Sequence, residues 1–71
     1  MRYGVIIEPV VGDGYSGYVP DLPGCVAAAA TVEEVRALLA EAVQLHVEAL
    51  VASGESVPAP GVLCEYVDTS A

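Results

Sequence analysis

The sequence predicts a small α+β domain of two layers, with its elements in the order β-β-β-α-β. Three observations predict it. Two short runs rich in β-branched and aromatic residues and a third, Ala-rich run are separated by Gly and Pro turn chemistry. One long stretch from Thr31 carries apolar residues at intervals of three and four. A last β-prone run lies near the C-terminus. With 71 residues the chain is one domain, 1–71, able to bury only about 60% of its unfolded surface.

The first strand is read over 2–8, Arg2-Tyr3-Gly4-Val5-Ile6-Ile7-Glu8, and the turn residues from Pro9 to Gly14, including Asp13-Gly14, make a hairpin loop. Tyr15-Ser16-Gly17-Tyr18-Val19 is the second strand, ended by Pro20, which lacks a ladder donor. Asp21-Leu22-Pro23-Gly24 turns the chain again into a third strand over 24–29. The four successive Ala residues from Ala27 to Ala30 favour helix by propensity, but Thr31 marks where a helix begins.

Thr31 and Glu34 match a capping box, and Glu33 with Glu34 complements the helix dipole. The helix runs from about 32 to 53 and stops at Gly54. Val35, Leu38, Leu39, Ala42, Leu45, His46, Ala49 and Leu50 are assigned to its core side. The connector 55–61, with Pro58 and Pro60, leads to a fourth strand over 62–67, and 68–71 is a frayed tail. Because the helix acts as a right-handed crossover, the fourth strand is expected beside the first, in the order 3-2-1-4.

A single helix covers one sheet face only. Tyr3, Val5 and Ile7 point one way, while Gly4 and Ile6 point the other, so both faces are partly apolar. Val43, Val47 and Val51 form a second i, i+4 stripe on the helix. Ile6, Val43, Val47 and Val51 are therefore the candidate interface residues, and a homo-oligomer is expected. The 55% hydrophobic content points the same way, since Val and Ala dominate it and Phe and Trp are absent.

Two Arg, no Lys and ten carboxylates give a net charge of -8, which repels nucleic acid and anionic membranes and attracts a basic protein. With no signal-peptide pattern and no span-length apolar run, the chain is expected in the cytoplasm. Cys25 and Cys64, far apart on opposite edge strands, are expected as buried, reduced thiols.

Gly12-Asp13-Gly14-Tyr15-Ser16-Gly17 matches G-x-G-x-x-G, but a strand follows where a dinucleotide site requires a helix N-terminus. His46 has no further His or Cys at ligand spacing and reads as a structural or interface residue. Glu33, Glu34, Glu41 and Glu48 read as a solvated helix face. The strands carry only Glu8 and Glu65, too few carboxylates for a two-metal hydrolase. No catalytic residue, metal ligand or cofactor site is assigned, and no enzymatic activity is expected.

Tyr18-Val19-Pro20-Asp21-Leu22-Pro23-Gly24-Cys25-Val26 resembles the strand end and turn of the HicB family of type II antitoxins. Ile6-Ile7-Glu8, Asp13-Gly14-Tyr15, Thr31 with Glu33-Glu34, Glu41-Ala42, Ser53-Gly54-Glu55 and 57–60 follow in family order. The resemblance covers nearly the whole chain and implies a partial ribonuclease-H-like fold without catalytic carboxylates. It also implies that the chain binds and occludes HicA, a small basic toxin that cleaves messenger RNA. Pro20, Asp21, Leu22, Pro23, Gly24, Cys25, Thr31, Glu33 and Glu34 are carried over as the family motif, as turn rigidity and capping. Ala29-Ala30 stands where many members have Gly-Asp, and His46 where an aromatic is common. Many members continue into a DNA-binding domain after the fourth strand, and operator binding by these residues alone is not expected. The alternative function is a solitary oligomeric structural or adaptor domain without a toxin partner.

Overall fold

The computed structural model describes residues 1–71 and contains three strands and one helix. They are β1 (Ile6–Pro9), β2 (Tyr15–Tyr18), β3 (Val26–Ala29) and α1 (Val32–Ala52). The strands form one antiparallel sheet with β2 in the middle, in the order β1-β2-β3. Ile7, Gly17 and Ala27 share one row of the sheet, and Ile6, Tyr18 and Val26 share the next.

The core is five buried side chains: Val19, Leu22, Cys25, Val35 and Leu39. Complete burial of a residue such as Leu22 or Leu39 contributes about 1.5–3 kcal/mol. Tyr3, Val5, Ile7, Tyr15, Ala27 and Ala29 pack around this core from the sheet side, which fixes the face that α1 covers. Gly17 allows α1 to lie close. A Cβ at Gly17 would stand 2.8 Å from Val35 Cγ1 and 2.9 Å from Leu39 Cδ1, closer than atoms can approach.

The ends of α1 are closed by local chemistry. Thr31 Oγ1 accepts from the Glu34 amide at 3.1 Å and donates to Glu34 Oε1 at 3.0 Å. The glutamate therefore meets the threonine hydroxyl, where a full capping box would have it meet the Thr31 amide. At the other end the Gly54 amide donates to Val51 O and the Glu55 amide to Leu50 O, with Gly54 at φ +75°. This is the Schellman arrangement, which a left-handed glycine makes inexpensive.

Two expectations are corrected. The fourth strand over 62–67 does not form, and with it the final position of the order 3-2-1-4 is absent; the sheet ends at β1. The physical reason lies at the head of this segment. The amides of Gly61 and Val62 are held by Asp21 Oδ2, each at 3.1 Å, and α1 makes its main contacts with β2 and β3. Leu63 and Tyr66 are consequently exposed, as is Cys64, which was expected to be buried. The core side of α1 is also rotated from expectation. Val43 and Val47 pack against the core, whereas Leu38 and Leu45 face outward.

Candidate interaction surface

The turn between β2 and β3 is built from Pro20-Asp21-Leu22-Pro23-Gly24-Cys25 as two consecutive β-turns. The Leu22 amide donates to Val19 O and the Cys25 amide to Leu22 O, both at 3.1 Å. Pro20 and Pro23 occupy the second position of each turn, where a fixed φ is an advantage. Gly24 follows Pro23 with φ +94°, the requirement of a type II turn. The Val19 amide donates to Cys25 O and closes the loop. Leu22 and Cys25 point into the core, and burial pushes the Cys25 thiol pKa up. Asp21 reaches out of the turn, to the amides of Gly61 and Val62. This tie was invisible in the sequence, because its acceptor and donors are separated by 40 and 41 positions.

Three surfaces surround this frame. On α1, Glu34, Leu38, Glu41, Leu45 and Glu48 are all exposed and fall within about 80° of the helix circumference at 100° per residue. Acid and leucine alternate along this stripe, and Leu38 and Leu45 are 44% and 60% exposed. On the uncovered sheet face, Ile6, Tyr18 and Val26 form one cross-strand row, with Val26 67% exposed. Beside them, Glu8, Ser16 and Ala28 form a second, more polar row. The third surface is the outer edge of β1, which pairs only with β2.

The residues singled out from sequence are distributed over this frame. Pro20 to Cys25 and Thr31 with Glu33 and Glu34 are turn and cap residues, and both glutamates are exposed. Val43 and Val47 are half-buried against the core, Val51 is exposed, and Ile6 is half-buried on the open sheet face. His46 is half-buried on α1. Both cysteines are free. No helix is long and apolar enough to cross a membrane.

The model of the HicB-like antitoxins of bacterial toxin–antitoxin systems matches residues 3–71. The chain belongs to this family. A chain of the solved HicA3 and HicB3 toxin–antitoxin complex is similar to the HicB-like domain at 35% identity and TM-score 0.66, covering 84% of this chain and 69% of that one. An uncharacterized 14.9 kDa protein of Haemophilus phage HP1 is 35% identical over 68 residues, which are 96% of this chain and 50% of the phage protein. A UPF0150 protein of Synechocystis sp. is 36% identical over 57 residues, 80% of this chain and 72% of that protein. The HicB-like domain thus spans half the length of its phage relative.

Proposed function

We propose that this HicB-like domain neutralises a small basic toxin of the HicA type by covering its RNA-cleaving surface, acting as a cytoplasmic homo-oligomer without catalysis of its own. The observation that carries the reading is the 35% identity and TM-score 0.66 to a chain of a HicA3 and HicB3 toxin–antitoxin complex. The charge supports it independently. A net charge of -8 steers a cationic partner toward the domain and repels nucleic acid.

The toxin is assigned to the outer stripe of α1. Carboxylates of Glu34, Glu41 and Glu48 meet its basic side chains, and Leu38 and Leu45 supply the dehydrated contacts between them. Hot spots of an interface lie where apolar anchors are enclosed by a polar rim, and this stripe has both parts on one rigid element.

The test is co-purification of the domain with the HicA-type toxin from the same genome, combined with an RNA-cleavage assay. A stoichiometric complex that silences cleavage, and that Leu38→Ser with Leu45→Ser disrupts, supports the proposal. A toxin that neither co-purifies nor loses activity defeats it and favours a solitary adaptor domain. The doubly substituted variant must keep its helical circular dichroism, which the exposure of both leucines predicts.

A further inference from the structure

Residues 56–71 share no backbone–backbone hydrogen bond with the rest of the chain. Within them, Val62-Leu63-Cys64-Glu65-Tyr66-Val67 is a β-prone run, and Leu63, Tyr66 and Val67 are 85%, 98% and 92% exposed. The outer edge of β1 is likewise unpaired. One chain therefore carries both halves of a missing ladder, a free extended segment and a free sheet edge. Unpaired backbone groups of this kind invite a strand from another chain.

The two halves lie side by side in one molecule without joining. Cys64 Sγ and Val62 Cγ1 stand against Gly4, 2.9 Å and 3.4 Å from the position a Cβ there would take. Farther along, Val5, Ile6 and Ile7 together with Leu63 to Tyr66 line an open groove of about 260 Å³. At its start the segment is tied by other bonds, where Asp21 takes the Gly61 and Val62 amides and Tyr3 Oη donates to Pro58 O. The molecule is drawn out accordingly. Its radius of gyration is 13.9 Å, where a compact chain of this length has about 11 Å.

We infer that residues 62–67 complete the sheet of a second copy, adding as a fourth strand to the outer edge of its β1 while receiving the equivalent segment in return. The occupant is a second copy because donor and acceptor are self-complementary. Reciprocal exchange about a two-fold axis pairs both β1 edges and both free segments at once, which a one-sided partner leaves half done. A core of five buried residues gives the monomer little else to rely on. The inference rests on the self-association in the proposed function and is independent of any toxin.

The test uses the intact chain alone. Light scattering should give twice the monomer mass of 7.2 kDa. Isotope-filtered NMR on a 1:1 mixture of labelled and unlabelled chains should place the contacts between 63–67 and Ile6–Pro9 across the chain boundary. Leu63→Pro combined with Glu65→Pro should halve the mass while retaining the helical signal, because the segment shares no backbone bond with the body. A chain that stays monomeric, a dimer whose 63–67 contacts are intramolecular, or a proline variant that keeps the dimer mass overturns the inference. A dimer lacking the exchanged contacts leaves self-association standing, and loss of toxin binding alters none of these readouts.

Discussion

Asp21 accepts a hydrogen bond at 3.1 Å from the amide of Val62, 41 positions later, and a second bond from Gly61. A motif residue of the β2–β3 turn thus ties down the start of the C-terminal segment. Asp21→Ala should cost about 1–2 kcal/mol, as expected for charge-assisted bonds at a half-exposed site. Urea denaturation would read the loss, and amide exchange at Gly61 and Val62 should quicken while that of α1 changes only by the global amount. Unchanged exchange at these two amides would contradict the tie.

Gly17 sets the distance between the layers. Gly17→Ala places a methyl 2.8 Å from Val35 Cγ1 and 2.9 Å from Leu39 Cδ1, so α1 must move or its side chains must leave their rotamers. Overpacking of this kind costs about 1–3 kcal/mol. For a domain of this size that lowers Tm by roughly 4–8 °C per kcal/mol. Val35→Ala in the same chain should recover part of the loss, making the pair non-additive in thermal melts.

The two cysteines should behave differently. Cys25 is buried and Cys64 exposed, so alkylation of the folded protein should modify one thiol and alkylation in denaturant two, counted by mass. Burial raises the Cys25 pKa above its ordinary value of 9.0. Above that value the unfolded thiol releases its proton while the folded one holds it. The thiol's favourable contribution is therefore complete below pH 9.0 and falls as pH rises toward the folded pKa. Stability should decline on the alkaline side, and Cys25→Ala should flatten that decline.

Local chemistry was legible in the sequence; long-range placement was not. Thr31, Gly54 and the two Pro-containing turns act through neighbours within a few residues, and each is found where its residue type demands. The helix stripe failed at finer resolution because apolar residues surround much of α1. With Leu38, Leu45, Val43 and Val47 all available, periodicity alone cannot choose the buried arc, and Gly17 decides it by admitting Val35 and Leu39. The strand over 62–67 was read from composition, but a strand needs a partner edge as well as propensity. Asp21 takes the first amides of the segment within the chain, through a contact 40 residues long in sequence.

Salt should separate the two kinds of association. Each chain carries -8, so self-association brings like charges together, and added salt should strengthen it by screening that repulsion. A basic toxin is attracted by the same charge, and added salt should weaken its capture, chiefly through a slower association rate. Between about 0.01 M and 0.15 M salt the Debye length shrinks from roughly 30 Å to 8 Å, enough to move long-range repulsion from dominant to minor at the size of this domain. Light scattering and toxin-binding kinetics over that range should therefore run in opposite directions. Parallel trends would mean that the carboxylates of α1 do not face the toxin, whereas opposite trends assign them to it and leave the apolar segment and the β1 edge to the second copy.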